Sequence, residues 1–144
     1  MIRFSRLGAR LTLGVGVTLA LATAACDDAT TATSPTTTSP VTETFSGQFL
    51  PGGSAARSFT AASSGTVAIT LTQIGPPADV VVGLGIGIPQ SNGAGCYLAQ
   101  AIQTGAAASP QITATVDAGS YCLRLYDTGR MTSQVAFSVT IVRP

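Results

Sequence analysis

The chain contains no histidine, no lysine and no tryptophan, and charged residues make up only 9% of its 144 residues. Because histidine and lysine are both missing, no side chain is suited to take the proton from a serine nucleophile, which disfavours a serine hydrolase. Three of the seven arginines lie within the first ten residues. The rest of the chain therefore has no basic patch that would neutralise nucleic-acid phosphates. We expect neither enzymatic activity nor a nucleic-acid partner.

The sequence also lacks an apolar run of membrane-spanning length. Its longest run, residues 11–25, covers about 15 residues, and a spanning helix needs about 20. Arg3, Arg6 and Arg10 precede this run, and small residues end it. A basic start, a short apolar stretch and small residues before a cleavage site are typical of a secretory signal peptide. We predict that residues 1–25 are such a peptide and that the protein is exported.

Cys26 stands directly after Ala24 and Ala25. A cysteine in this place resembles the lipobox of bacterial lipoproteins, with Thr23 where the family usually has leucine. The resemblance implies that Cys26 is lipidated and anchors the protein to a membrane of the bacterial cell envelope, facing the periplasm or the exterior. The alternative is a plain signal peptide cut near Ala25, which would leave Cys26 as a free thiol.

Two further cysteines, Cys96 and Cys122, remain as a pair if Cys26 carries lipid. An exported protein meets an oxidising compartment, so we predict a disulfide between them. The enclosed loop of about 25 residues corresponds to roughly 3 kcal/mol of stabilisation. Two cysteines without a histidine cannot complete a zinc site. We therefore expect a structural bridge, with neither a metal nor a cofactor.

Residues 29–42 consist almost entirely of threonine, serine, alanine and proline. Such a stretch lacks the apolar side chains that offset the entropy of ordering a chain. We predict that residues 26–42, with the lipidated cysteine, form a tether. The folded domain is then expected over residues 43–144.

The predicted domain repeatedly alternates apolar and polar residues, which is the pattern of half-buried β-strands. The clearest segments are residues 66–72, 111–116, 121–126 and 135–141. Weaker candidates are residues 44–50, 55–61, 79–86 and 96–102. Turn signals separate them. About eight short strands at this spacing predict an all-β, antiparallel β-sandwich.

Several phrases of this domain resemble the bacterial pre-peptidase C-terminal (PPC) domain. They are residues 45–53, 57–60, 64–71, 78–80 and 117–127. The resemblance implies a jelly-roll β-sandwich that serves as an accessory domain, here for a separately encoded secreted protease. Relatives in collagenases bind their polymer with calcium, which implies a calcium-assisted polymer-binding domain as a further alternative. Glu43 is the only acidic residue near the first predicted strand.

Arg124 and Tyr126 are the candidate ligand-binding residues. They share one face of a predicted strand, and the disulfide could bring Tyr97 near them. An aromatic ring beside an arginine could recognise a sugar or a peptide, and the alternative is ordinary surface packing. Asp79, Asp117 and Asp127 are the carboxylates that could form an acid pair, and the alternative for Asp117 is a turn residue before Ala118 and Gly119. Asp79 and Asp127 could also hold calcium together with backbone carbonyls.

Gly83, Gly85 and Gly87 alternate along another predicted strand. They do not form a phosphate-binding loop, because the following Ile88 and Pro89 do not continue as the helix that such a loop requires. We predict instead a strand whose glycine face is closely approached by neighbouring groups. The sequence as a whole predicts a lipid-anchored, non-catalytic module that binds an envelope polymer or protein, or that has a structural or accessory role.

Overall fold

The structure, a computed structural model, describes residues 39–91 and 95–144. These residues form eight strands and no helix. The strands are β1 (Val41–Phe49), β2 (Ser54–Ala61), β3 (Gly65–Gly75), β4 (Val82–Pro89), β5 (Cys96–Thr104), β6 (Ile112–Val116), β7 (Gly119–Tyr126) and β8 (Val135–Arg143). The predicted all-β class is confirmed. None of the residues that the structure describes belongs to a helix long and apolar enough to cross a membrane.

The strand bounds differ from the predicted segments by up to three residues, and the starts of β1 and β4 are among the largest differences. β1 begins at Val41, two residues before the predicted start of the domain. β4 begins at Val82 and not at residue 79, because Pro76 and Pro77 are followed by a turn at residues 78–79. The predicted signal peptide and most of the predicted tether lie outside the described residues.

The strands form two four-stranded antiparallel sheets. Sheet A has the order β1-β8-β3-β6, and sheet B has the order β2-β7-β4-β5. The first strand pairs with the last, the second with the one before it, and so on inward along the chain: β1 with β8, β2 with β7, β3 with β6 and β4 with β5. These four nested pairs form one long two-stranded ladder. This ladder is rolled up so that β8 also pairs with β3 and β7 also pairs with β4. This nesting is the strand order of a jelly roll, as predicted.

The core fills the space between the two sheets. Alternate residues of each strand point inward, so the apolar half of each alternating segment is buried. Side chains that lose all contact with solvent include Val67, Ile69, Leu84, Leu125 and Ile141. Each such burial stabilises the fold by about 1.5–3 kcal/mol relative to an exposed side chain.

The strand register defines two ends of the sandwich. At one, Val41 pairs with Arg143, and the amide of Ala62 donates to the carbonyl of Pro144. We call this the Val41 end, since it is where the predicted tether enters the domain. The opposite end holds the turn after β1 that includes Leu50, and we call it the Leu50 end.

A glutamine side chain closes the edge of β3 where the short strand β6 does not reach. The Gln111 Oε1 atom accepts a hydrogen bond of 2.8 Å from the Leu71 amide. The Gln111 Nε2 atom donates to the carbonyls of Leu71 at 3.3 Å and of Gly105 at 3.1 Å. The side-chain amide thus pairs with the strand as a backbone peptide would.

Candidate functional site

The disulfide between Cys96 and Cys122 is confirmed, with the two Cα atoms 5.8 Å apart. Both residues are buried. The bridge joins β5 to β7, although β4 lies between these strands in sheet B. A bulge between Ile86 and Gly87 lets β5 shift its pairing at this point. The bridge therefore fixes the outermost strand of sheet B to the strand two places away.

The three alternating glycines of β4 lie beneath other groups on the outer face of sheet B. A Cβ atom on Gly83 would overlap the ring of Tyr126, and one on Gly87 would overlap the carbonyl of Tyr97. A Cβ atom on Gly85 would lie only 2.9 Å from the Leu98 side chain. The predicted close approach is confirmed. This part of the outer face is covered by the protein's own residues.

The structure brings Arg124 and Tyr126 together on that outer face. The guanidinium carbon of Arg124 lies 5.8 Å from the centre of the Tyr126 ring, within cation–π range. Arg124 also donates a hydrogen bond of 3.3 Å to the Ser54 hydroxyl. Because the Tyr126 ring covers Gly83, both side chains contribute to the packing of sheet B. A ligand-binding role for this pair stays a prediction.

Tyr97 does not join this pair. It is the cross-strand partner of Ile88, and strand alternation places both on the face opposite Gly87 and its partner Cys122. The expectation that the disulfide brings Tyr97 toward Arg124 is therefore wrong. The bridge joins the β5 backbone to β7 on the face that holds Gly87 and Cys122, while the Tyr97 side chain lies on the opposite face of the sheet.

Asp127 is committed to the backbone of two turns at the Leu50 end. Its Oδ1 atom accepts hydrogen bonds of 2.9–3.1 Å from the amides of residues 129–131. Its Oδ2 atom accepts one of 2.8 Å from Gly52. The amide of Gly52, followed by those of the other turn, lowers the pKa of the Asp127 carboxyl. Three donors converge on Oδ1 and one on Oδ2, so the carboxylate has a structural role in joining the two turns.

The other acidic candidates are dispersed. Glu43 forms an ion pair of 3.3 Å with Arg143, which also donates to the carbonyl of Thr60 in sheet B. Asp79 is exposed and lines a shallow depression of about 250 Å³ together with Arg130. Within residues 39–91 and 95–144, no three His, Cys, Asp or Glu side chains lie close enough together to hold a metal ion.

A cleft of about 400 Å³ opens at the edge of the sandwich where β5 and β6 are the outermost strands. Its lining residues come from both sheets and from the turn after β6. They are Ile86, Gly87, Ile88, Ala99, Gln100, Ala114, Thr115, Val116, Asp117 and Tyr121. The sequence did not predict this cleft, because strand alternation does not say which edges of two sheets remain open between them.

The cleft has apolar walls and few polar groups. Asp117 is its only charged residue, and the Asp117 carboxylate accepts a hydrogen bond of 3.1 Å from the Ser64 hydroxyl. The Tyr121 hydroxyl donates to the backbone carbonyl of Asp117 at 3.0 Å. No second titratable acid or base lines the cleft beside them. Apolar walls with a few polar groups are the usual chemistry of a binding pocket.

Ile88, one of the residues that line the cleft, forms an exposed apolar pair with Tyr97, which does not line it; we call this pair the Ile88–Tyr97 patch. Their exposed fractions are 61% and 67%, and they face each other across β4 and β5. β7 begins at the Val41 end, and Gly87 of β4 pairs with Cys122 near that start. Ile88 follows Gly87 toward the same end, so the pair lies at the Val41 end. Neighbouring exposed apolar side chains often mark an interaction surface.

No family model matches the chain, and no curated protein matches its sequence. The resemblance to PPC domains is therefore not confirmed. Among solved structures, the chain is similar to the crystal structure of Aeromonas hydrophila PliG, described as a periplasmic lysozyme inhibitor of g-type lysozyme. The two share 16% identity, the match covers 71% of this chain and 86% of PliG, and the TM-score is 0.47. A similarity at this level says nothing about the partner of this chain.

Proposed function

We propose that this protein is a non-catalytic binding lipoprotein of the bacterial cell envelope. In this proposal Cys26 carries the lipid, residues 26–40 form the tether that leads into β1, and the β-sandwich binds its ligand in the cleft between β5 and β6. The observation that carries the proposal is the cleft itself, which is open, concave and mostly apolar. The likeness to PPC domains is not needed for it.

The groups inside the cleft suit binding better than catalysis. General acid–base chemistry needs a titratable group positioned on the reacting atoms, often with a second one to orient it. Here the Asp117 carboxylate accepts from Ser64, and the Tyr121 hydroxyl is engaged by the backbone. These hydrogen bonds shape the cleft floor and leave no activated nucleophile.

The composition of the cleft points to a ligand with little charge. Its walls hold no arginine, so a strongly anionic polymer has no counter-charge there. Ile86, Ala99 and Val116 offer apolar contact, and the Gln100 amide can both donate and accept hydrogen bonds. A weakly polar segment of an envelope polymer or protein fits this chemistry.

Binding is tested with the purified mature protein against isolated envelope polymers and envelope protein fractions. Ala99→Trp places a large ring in the cleft from an exposed position. Ala108→Trp, exposed in the β5–β6 connection, is the matched control because it lies outside the cleft. We expect Ala99→Trp to weaken saturable binding at least about tenfold, a loss of roughly 1.4 kcal/mol, and Ala108→Trp to leave it unchanged.

Two results would contradict the assignment. Normal binding by Ala99→Trp together with loss on Arg124→Ala would move the site to the outer face of sheet B. The absence of any saturable partner would refute the binding function.

The lipid anchor is tested separately by mass spectrometry of the mature N-terminus. Stable attachment needs about two acyl chains, since a single chain gives only marginal membrane binding. We expect an acylated Cys26, and we expect Cys26→Ser to move the protein out of the membrane fraction. An unmodified Cys26, or unchanged fractionation of the variant, would refute anchoring and leave the cleft proposal standing.

A further inference from the structure

We propose that the Ile88–Tyr97 patch docks onto the surface of the lipid bilayer that holds the anchor, so that the Val41 end faces the membrane. This inference names the lipid surface as a partner and rests on the proposed lipidation of Cys26. It gives the folded domain a fixed orientation and does not leave it suspended on its tether.

The first argument is the distribution of exposed apolar side chains. Four large ones are exposed among the residues that the structure describes, namely Val41, Leu50, Ile88 and Tyr97. Three of them lie at the Val41 end, and only Leu50, with 62% of its side chain exposed, lies at the other. The exposed apolar side chains are therefore concentrated at the Val41 end, with Val41 on β1 and the Ile88–Tyr97 patch on β4 and β5 at opposite edges of the sandwich.

The second argument is the length of chain between the anchor and the domain. Fourteen residues lie between Cys26 and Val41, and this length of chain reaches at most about 50 Å from one residue to the other. The bilayer therefore stays close to the Val41 end, and an anchored contact acts at a high effective concentration, so a weak contact is sufficient.

The third argument is chemical. A tyrosine combines an apolar ring with a polar hydroxyl, and such side chains favour the boundary between lipid headgroups and acyl chains. Ile88 supplies an aliphatic side chain next to it. At this end Glu43 pairs with Arg143 and Asp117, in the turn after β6, adds one negative charge, so the described residues there carry no excess positive charge to attract anionic lipid headgroups. Docking should therefore depend on apolar contact and change little with ionic strength.

The absence of tryptophan from the sequence allows a direct test with single-tryptophan variants. Tyr97→Trp places the reporter in the patch, and Leu50→Trp places it at a similarly exposed position on the opposite end. The mature chain from Cys26, exported behind a non-lipoprotein signal peptide, is coupled through Cys26 to a maleimide lipid. The vesicles contain phosphatidylethanolamine and phosphatidylglycerol, with and without brominated acyl chains. This coupling replaces natural acylation, so the result does not depend on the anchor.

We expect the tryptophan emission of the Tyr97→Trp variant to shift to shorter wavelength on coupling and to be quenched by the brominated lipid. The emission of the Leu50→Trp variant should change in neither respect. Adding Ile88→Ser, a change at an exposed position, should lower the docking equilibrium of the Tyr97→Trp variant roughly tenfold. Circular dichroism confirms that each variant retains its β-structure.

Three outcomes would overturn the proposal. The first is an unchanged emission of the Tyr97→Trp variant on the vesicles. The second is equal quenching of both reporters, which indicates adhesion without orientation. The third is an emission shift of the Tyr97→Trp variant in the absence of vesicles, which increases with protein concentration and is accompanied by a doubled mass in light scattering. That result would assign the patch to contact with a second copy of the chain.

Discussion

Replacing Gln111 by alanine removes the side-chain amide that closes the edge of β3. Three hydrogen bonds are lost, and the buried Leu71 amide is left without its acceptor. Two backbone bonds still hold the adjoining segment, from Ala107 to Leu71 and from Gln111 to Ile69. The perturbation is therefore confined to one peptide of the sheet.

The expected cost follows from that geometry. A buried donor without a partner costs about 1–3 kcal/mol, whereas the Leu71 carbonyl keeps its bond from Ala107. We expect the free energy of unfolding to fall by about 2 kcal/mol, which lowers the melting temperature of a domain of this size by roughly 10 °C. Gln111→Glu should give no rescue at neutral pH, because its carboxylate would face the carbonyls of Leu71 and Gly105.

Urea denaturation and calorimetry measure the loss, with Gln103→Ala as the control, since Gln103 is an exposed glutamine on β5. Hydrogen exchange supplies an independent measurement, because the Leu71 amide should exchange faster in Gln111→Ala than in the control. Equal stability of the two alanine variants, with an unchanged Leu71 exchange rate, would refute the reasoning.

Three further predictions concern stability. The Cys96–Cys122 bridge spans 26 residues, which corresponds to about 3.5 kcal/mol, so reduction should lower the melting temperature by roughly 15 °C; coincident calorimetric transitions of the oxidised and reduced protein would contradict this. Gly83→Ala should lower the free energy of unfolding by about 1–3 kcal/mol, because the added methyl group overpacks against Tyr126. In a double-mutant cycle, Tyr126→Ala should relieve most of this loss. Additive effects of the two substitutions would argue against that contact. The folded-state pKa of Asp127 lies below its ordinary value of 3.8, so its contribution to the free energy of unfolding is present above that pH and is lost as the pH falls below it. The melting temperature of Asp127→Asn should therefore change less with pH in that acidic range than that of the wild type. Parallel plots of melting temperature against pH for the two proteins would contradict this role.

The sequence predicted the strands well because their signal is local. Segments such as residues 135–141 alternate apolar and polar side chains, and the same alternation sets which face enters the core. The glycines of β4 were also interpreted correctly, since three glycines on one face of a strand leave space that neighbouring groups fill. The Cys96–Cys122 pairing was predicted from the small number of cysteines and from the predicted export signal.

The candidate site was harder to predict because it depends on residues far apart in the sequence. The cleft joins β4 and β5 to β6 across two sheets, and no local pattern records that opening. Asp127 was considered as a ligand or an acid, whereas it accepts hydrogen bonds from two turns. The sequence did carry a local signal for this role, since Asp127 followed by Thr128 and Gly129 is typical of a turn closed by an aspartate side chain.

The nested pairing of the strands has a consequence for how the protein is made. β8 is last in the sequence, yet it lies between β1 and β3 in the middle of sheet A. Chains dominated by such distant pairings fold slowly, because long loops must close before their contacts stabilise anything. In the proposed export, β1 lacks its partner strand until Val135–Arg143 has followed it across the membrane. A chain truncated before β8 would lose a central strand of sheet A and not an edge strand, and we expect it to be degraded or to aggregate.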